Sequence, residues 1–296
     1  MRGPGPPGAY ASGVGDLIPL FPLGTPLFPG VVLPLQIFEP RYRRLMQDLL
    51  AHPEDSDHRF FGVVAIRQGW EVEHIAPAAA LYDIGCTARL QRVMPLADGG
   101  FRIVTVGGDR FRVLDVVVGD DPPYLQAEVE WLAQEEAADE AAGDSDGIVQ
   151  GVGAGGSDDL DAIVSEVAKG SMDLLGRGVR GLFTRYVAEV AALGSGRGRG
   201  ADADDFDDAE SPGSPQSAEA AVLLRAVADD PTALSWLVAS VSLLTTEDRQ
   251  ALLAESATRR RLAAESRLLR RELTLLQELG AVPVPLHEFA TPMTVN

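Results

Sequence analysis

The density of proline between residues 18 and 44 is the feature that most limits what this chain can fold into. The stretch reads IPLFPLGTPLFPGVVLPLQIFEPRYRR, with prolines at Pro19, Pro22, Pro26, Pro29, Pro34 and Pro40. A helix cannot carry them, because each proline lacks a backbone N–H and its ring clashes with the preceding turn. Short strands can carry them at edges or bulges. Pro29-Gly30 predicts a turn, and Pro40 suits the first turn of a helix that covers residues 41–50.

Short β-like runs separated by turn residues continue to residue 132. Phe60–Ile66 is an unbroken apolar run, and Leu81–Met94 is a longer run in which Gly85 predicts a bend or bulge. Residues 98–100 predict a hairpin turn, and alternating strands follow on both sides of residues 107–108. Residues 125–131 alternate as a strand with one wet face. This pattern predicts an antiparallel barrel or sandwich over residues 16–133.

The rest of the chain predicts helices and two linkers. Residues 134–156 and 194–216 are rich in small and acidic residues, and we expect both to be flexible, like residues 1–15. Helical spacing runs through residues 157–193, where four glycines predict a possible break, and through residues 217–280, before a tail of residues 281–296. Asp230 and Thr245 predict two helix starts in the last segment. The second of these helices is expected from Glu247 to about Leu279.

Charge and cysteine content restrict the classes of function. The net charge is −19, from 44 acidic and 25 basic residues, and it argues against a general binder of nucleic acids or anionic membranes. The longest apolar run is too short to span a bilayer, and the N-terminus lacks the apolar core of a signal peptide. Cys86 is the single cysteine, which fits a reducing compartment. We therefore expect a cytoplasmic protein with no membrane partner.

The opening stretch resembles the start of the Lon protease N-terminal (substrate-binding) domain, in the form carried by standalone Lon-domain proteins. The resemblance continues in FGVVAI from Phe61, LYDIGCTARLQRV from Leu81, FRIVTVGGDRFRV from Phe101, PYLQAEVEWL from Pro123 and SLLTTEDRQALL from Ser242. It covers most of residues 16–132 and, more loosely, residues 217–280. It implies an α+β fold, in which a PUA-like antiparallel β-barrel domain precedes an α-helical bundle. It also implies binding of protein substrates or partners, without chemistry.

No sequence motif predicts a catalytic, cofactor or metal site. Residues 151–156 match G-x-G-x-x-G, but an acidic linker precedes them where a dinucleotide site needs a buried strand. Full-length Lon proteases add an ATPase module and a Ser/Lys peptidase module, and this sequence has no Walker A phosphate loop. Lys169, the only lysine, lies in a predicted helix and is interpreted as solvated. Cys86 lies in an apolar strand and is interpreted as a structural thiol. The spacing of His52 and His58 matches no standard zinc or calcium site.

The candidate protein-binding residues lie around the proline-rich opening. Phe28 lies in an irregular segment between two prolines, so we expect its ring to be partly exposed and to contact a client. Phe38 follows alternating apolar residues and is expected in the core. The charged residues that begin the first helix could form a binding rim, with a surface charge cluster as the favoured alternative. The candidate set is therefore Phe28, Pro29, Glu39, Arg41 and Arg43.

Two other classes of function stay open beside a non-enzymatic protein-binding module. RNA binding is one, because PUA-like folds also bind RNA, and it would require a basic patch on the β domain. The arginine-rich stretch 259–271 is interpreted as a solvated helix face, with nucleic acid or an acidic partner as the alternative. An enzyme with an unrecognised site is the other class, and it would require perturbed buried acids or a deep polar pocket. The client and the oligomeric state stay open.

Overall fold

A computed structural model describes residues 15–54, 56–67, 78–133, 158–197, 224–227 and 229–279. The strands are β1 (Asp16–Leu23), β2 (Val32–Ile37), β3 (Phe60–Ile66), β4 (Leu81–Pro95), β5 (Phe101–Val117) and β6 (Gln126–Leu132). The helices are α1 (Pro40–Leu50), α2 (Asp158–Arg197), α3 (Pro231–Val241), α4 (Thr246–Ala254) and α5 (Thr258–Leu279), with a 3-10 turn at Ala78–Ala80. Residues 1–14, 134–157, 198–223 and 280–296 lie outside the described residues, and so do most of the expected linkers.

The six strands form one sheet that closes into a ring. Their order is β2-β5-β4-β3-β1-β6, and an additional pairing of β5 with β6 closes the ring, leaving β2 beside β5. The described pairs are antiparallel apart from β1 and β3, which run parallel from Leu20 and Gly62 to Leu23 and Ala65. The expected α+β fold, a barrel-like β domain followed by packed helices, is confirmed.

The ring encloses an apolar core around Phe111. The ring of Phe111 is fully buried and packs with Leu20, Val64 and Leu125. Gly85 on β4 makes room for it, because a Cβ at Gly85 would overlap the Phe111 ring. The glycine is therefore required by close packing. One irregularity in the register of β4 begins at Gly85, between the pair Val64–Gly85 and the pair Ile66–Leu81, in agreement with the bend or bulge expected there.

One long strand replaces the two alternating runs that the sequence predicted around Gly107 and Gly108. β5 continues through both glycines and pairs with β4 on either side of them. A Cβ at Gly107 would overlap the carbonyl oxygen of Phe28. Gly107 is therefore needed because the backbones of β5 and of the Phe28 segment lie close together. The local sequence pattern does not distinguish this role of a glycine from a role in a turn.

The turns and helix starts agree with the sequence in most places. Gly30 and Gly99 have φ values of 74° and 78°, which are strained for residues with side chains, and both lie in the expected turns. The carboxylate of Asp230 accepts from the N–H of Ala233, and the hydroxyl of Thr245 accepts from the N–H of Asp248. α2 runs unbroken through its glycines.

The expected single helix from Glu247 to Leu279 is wrong, because two helices, α4 and α5, share this segment. Glu255 ends α4 in an extended conformation, with φ −75° and ψ 115°. Its carbonyl oxygen accepts from the guanidinium of Arg261 at 2.7 Å. An arginine inside the next helix thus stabilises the break, and helical periodicity carries no signal for such a contact.

The helices pack directly on the β domain. A single apolar cluster joins Phe28 and Ile103 of the β domain to Trp236 and Leu253 of α3 and α4. Residues 170–193 of α2 pack on α3 and α5 in a second cluster. Among the described residues, no helix combines the length and the apolar character needed to cross a membrane.

Candidate functional site

A cleft of about 350 Å³ opens between β1 and β2, beside the start of α1. We call it the β1–β2 cleft. β1 contributes Phe21–Leu23, β2 contributes Leu35–Ile37, and the chain that enters α1 contributes residues 38, 39, 41 and 42. Ile66 and Leu125 complete the lining. The volume lies within the range of small ligand sites. Most of the lining residues are apolar, and Gln36, Glu39 and Arg41 are the polar ones among them apart from Tyr42.

The floor of the cleft is aromatic. The rings of Phe21 and Tyr42 stack with centroids 4.1 Å apart, and Phe61 lies behind Phe21 at 5.5 Å. Burial raises the pKa of Tyr42 to about 12, so its phenol is neutral at ordinary pH. The floor therefore provides fixed apolar surface, and it offers no group that ionises near neutral pH.

Two charged residues that line the cleft form an ion pair. The Nε of Arg41 donates to Oε2 of Glu39 at 2.8 Å, and the guanidinium lies 4.7 Å from the centroid of the Tyr42 ring. Both side chains are about one-third exposed or more. Exposed pairs of this kind add little stability. Since the two charges compensate each other, the rim of the cleft is close to neutral.

The predicted environments of Phe28 and Phe38 are both wrong, in opposite directions. Phe28 is 1% exposed and packs against Trp236, with the guanidinium of Arg249 at 5.7 Å from its ring centroid. Phe38 is 63% exposed and lies at the edge of the cleft. The irregular backbone around Phe28 turns its ring toward α3, a helix that lies two hundred residues later in the chain.

The signal for Phe38 was present in the sequence. Val32, Pro34 and Gln36 are exposed, whereas the residues between them are half-buried or buried. Phe38 continues the series of every second residue that includes Val32, Pro34 and Gln36. Strand alternation therefore places its side chain on the solvent-exposed face. Gln36 and Phe21 also line the cleft and were not among the candidate residues, because neither carries a charge or an evident motif.

The structure brings together two of the five candidate binding residues. Glu39 and Arg41 line the β1–β2 cleft. Arg43 lies on α1 against the turn at Gly99, and Pro29 is half-buried in the turn before β2. Phe28 is in the core, so it is unsuitable as a surface contact in this structure.

The other residues considered from the sequence do not gather into a reactive site. Cys86 is fully buried, and burial raises the pKa of its thiol far above the ordinary value. His52 and His58 are exposed, with ring centroids 5.6 Å apart. Among the described residues, no group of three or more His, Cys, Asp or Glu side chains could hold a metal ion. Residues 151–156 and the side chain of Lys169 lie outside the described part of the chain.

Several arginines on the β domain form ion pairs with acids. Four exposed pairs are Arg44–Asp48, Arg67–Asp83, Arg89–Asp57 and Arg112–Glu130, with N–O distances of 2.9, 3.4, 2.9 and 3.2 Å. A basic patch of the kind that binds RNA requires uncompensated charge. These pairs therefore weigh against the RNA-binding alternative.

One buried acid has a strongly shifted pKa, but it lies in the helical core. Burial raises the pKa of Glu265 to about 8, against weaker opposing effects of Ser235 and Arg261. Ser235 donates its hydroxyl to Oε1 of Glu265 at 2.6 Å and accepts from Nε of Arg261 at 2.7 Å. None of these three residues lines the β1–β2 cleft. We interpret the network as structural.

A second, more open groove of about 590 Å³ lies between α2 and α5. Its lining includes Gly170, Gly178, Ser266 and Arg270, together with the exposed Leu174. Small side chains on both helices leave this space. Its apolar lining is shallow, and it lies apart from the β1–β2 cleft.

Comparison with known proteins gives a family match over most of the chain. A family described as "ATP-dependent protease La (LON) substrate-binding domain" matches residues 17–271. Lon protease 1 of Herpetosiphon aurantiacus is 24% identical over 269 residues, which are 88% of this chain and 25% of that protein. Lon protease 2 of Myxococcus xanthus is 32% identical over 127 residues, which are 42% of this chain and 14% of that protein. The chain thus spans a quarter or less of these relatives.

Two solved structures cover 86% of this chain and 98% of their own. One is a Lon N-terminal domain protein from Xanthomonas campestris, at 21% identity and a TM-score of 0.44. The other is the N-terminal domain of a Mycobacterium avium complex Lon protease, at 17% identity and a TM-score of 0.43.

Proposed function

The chain belongs to the Lon substrate-binding domain family, and from that premise we propose that it is a non-enzymatic module that binds protein substrates or partner proteins. The observation that carries the proposal is the β1–β2 cleft, with its fixed aromatic floor and the exposed ring of Phe38 at its edge. Large exposed aromatic side chains beside an apolar cleft are typical anchors of protein interfaces.

The neutral rim of the cleft supports a polypeptide as the ligand. Glu39 and Arg41 compensate each other, and Tyr42 stays un-ionised, so the cleft has no net charge with which to hold a small ion. Apolar side chains of an unfolded or loosely folded protein fit such a surface, because their transfer from water is favourable by about 25 cal/mol per Å². We propose that binding takes place in the cytoplasm and needs no cofactor.

The test is the capture of an unfolded protein by variants of the cleft. Reduced, carbamidomethylated ribonuclease A, an unfolded chain of basic net charge, serves as the probe, and its binding is measured by fluorescence anisotropy. Phe38→Ala is expected to weaken binding by about tenfold or more, since truncation of an interface anchor costs about 2 kcal/mol. The melting temperature should stay the same.

Leu174→Ala is the matched control, because Leu174 is 65% exposed and lies on α2, far along the chain from the cleft. Its binding of the probe should equal that of the unchanged protein. Equal losses of affinity in the two variants would show non-specific binding by exposed apolar residues. Unchanged affinity in Phe38→Ala would overturn the proposed site.

A further inference from the structure

The β1–β2 cleft is a gap between strand edges rather than a hollow on one face of the sheet. Consecutive side chains of a strand point to opposite faces, yet three consecutive residues of each strand, Phe21–Leu23 and Leu35–Ile37, line the cleft. A cleft lined in this way borders both strands along their edges. Within the described part of the chain, β2 pairs with β5 alone, so the other edge of β2 is open toward the cleft.

Hydrogen bonds around β2 show which residues direct their backbone groups into the cleft. The carbonyl of Val31 accepts from the N–H of Gly107 on β5 at 2.9 Å. In an antiparallel pair this orientation repeats at every second residue, so residues 33, 35 and 37 also face β5. The residues between them point away from β5. Of these, Gln36 lines the cleft and offers it both an N–H and a C=O.

The opposite wall offers a carbonyl. Leu20 donates its N–H to the carbonyl of Leu125 at 2.7 Å, on the side of β1 away from β3. Two residues later, Pro22 has the same orientation and directs its C=O toward the cleft. Pro22 and Pro34 provide no N–H, and prolines on strand edges restrict uncontrolled pairing between sheets. The open edges therefore suit a short segment that pairs at Gln36 and Pro22.

We propose that the β1–β2 cleft takes up an extended, apolar polypeptide segment with basic flanks as an added strand, held by main-chain hydrogen bonds to Gln36 and Pro22. The proposal rests on the proposed function and specifies the class of segment that is bound. Strand addition draws its affinity from main-chain bonds and its selectivity from alternate side chains. Here, the aromatic floor at Phe21 and Tyr42 accepts the side chains on one face of the segment.

Charge favours this occupant. The inserted part is uncharged, because Glu39 and Arg41 already neutralise each other at 2.8 Å. The whole chain has a net charge of −19, so basic residues that flank the inserted part are attracted over longer distances, and acidic flanks are repelled.

A synthetic peptide tests the main-chain bonds directly. In the peptide, valine and threonine alternate between flanking lysines, and binding is measured by the anisotropy of a terminal fluorophore. Two analogues carry N-methyl groups on every second amide, one along each edge of the extended peptide. Each lost hydrogen bond costs about 0.5–1.5 kcal/mol, so methylation of either edge should weaken binding by about two- to tenfold. An analogue with glutamates in place of lysines should also bind more weakly.

Variants of Gln36 test the same bonds from the side of the protein. Gln36→Pro removes the N–H that faces the cleft, whereas Gln36→Ala removes only the side chain and is the matched control. Binding of the unmethylated peptide should fall in the first variant and persist in the second, with melting temperatures checked for both. If Gln36→Pro does not fold, binding of the methylated peptides to the unchanged protein tests the main-chain hydrogen bonds instead.

Methylated analogues that bind as tightly as the unmethylated peptide would overturn strand addition. Binding of the peptide as a helix, or a dimer of this chain through β2 that blocks the peptide, would overturn it as well. Failure of the peptide to bind, with capture of carbamidomethylated ribonuclease A still dependent on Phe38, would overturn strand addition alone. Failure of both probes to bind would overturn the proposed function as well.

Discussion

At the scale of single residues, Trp236 is where the β domain and the helices meet. Its ring lies 3.5 Å from the guanidinium of Arg261 and 5.5 Å from that of Arg110, and its centroid is 6.0 Å from that of Phe28. Cation–π contacts are strongest where they are removed from water, and Trp236 is 4% exposed. The position of Phe28 in the core follows from this contact.

Phe28→Ala and Phe38→Ala should therefore affect stability very differently. Truncation of the buried Phe28 ring leaves a cavity against Trp236 and is expected to lower the free energy of unfolding by about 3–5 kcal/mol. Truncation of the exposed Phe38 ring should change it by less than about 0.5 kcal/mol. Urea titration measures both, and similar losses in the two variants would contradict the assigned environments.

These two phenylalanines also show what local sequence can and cannot predict. The exposure of Phe38 follows from strand alternation with Gln36, so the sequence contained the answer. The burial of Phe28 depends on Trp236, which lies more than two hundred residues away, and no local pattern predicts that contact. The charged part of the cleft, Glu39 and Arg41, was found from the sequence because it begins a helix whose start is well marked.

Gly107 and Gly181 offer a second matched pair. A Cβ at Gly107 would overlap the carbonyl oxygen of Phe28, whereas a Cβ at Gly181 in α2 meets nothing within 4 Å. Gly107→Ala should lower the melting temperature by many degrees. Gly181→Ala should raise stability by about 0.5–1 kcal/mol, because alanine favours the helix. A Gly107→Ala protein as stable as the unchanged one would show that the two backbones can separate at little cost.

At the scale of elements, α5 is organised by a buried polar network. Arg261 is fully buried and donates to the hydroxyl of Ser235, the hydroxyl of Thr258 and the carbonyl of Glu255. Glu265, one turn later, receives a hydrogen bond from Ser235 through one oxygen. The network explains why α4 and α5 are separate helices, and it depends on partners in α3 that helical periodicity cannot predict.

The network predicts a dependence of stability on pH. Burial raises the pKa of Glu265 to about 8 in the folded protein, against an ordinary value of 4.5. The folded state thus favours the neutral carboxyl, so this contribution to stability is complete below about pH 4.5 and is lost as the pH rises through about 8. Glu265→Gln keeps the shape without ionising, and its melting temperature should exceed that of the unchanged protein increasingly between pH 5 and 8. Parallel curves for the two proteins would contradict the shift.

At the scale of the whole molecule, the β domain and the helices are expected to unfold together. Arg110 on β5 donates to the carbonyl of Leu253 at 2.8 Å and to the hydroxyl of Ser256 at 3.0 Å. Gln250 on α4 donates to the carbonyl of Ile84 at 2.8 Å, beneath a shared apolar cluster. The overall α+β architecture was predictable from strand runs and helix starts, whereas this junction joins residues that are distant in the chain.

Arg110→Met tests the junction, with Arg112→Met as its control on the same strand. Arg110 is 3% exposed, and its loss removes charge-assisted hydrogen bonds worth about 1.5–3 kcal/mol each. Arg112 forms an exposed pair with Glu130, and its loss should cost at most about 1 kcal/mol. Calorimetry should show one transition in the unchanged protein, and two well-separated transitions would contradict a shared core.

The central claim is that the β1–β2 cleft binds protein segments, and amide hydrogen exchange tests it most directly. Exchange is compared with and without saturating carbamidomethylated ribonuclease A, over all peptides of the chain. New protection is expected only in residues 20–23 and 32–42, which border the cleft, and not in the groove between α2 and α5. Protection in residues 170–178 and 266–270, with exchange at the cleft unchanged, would contradict it.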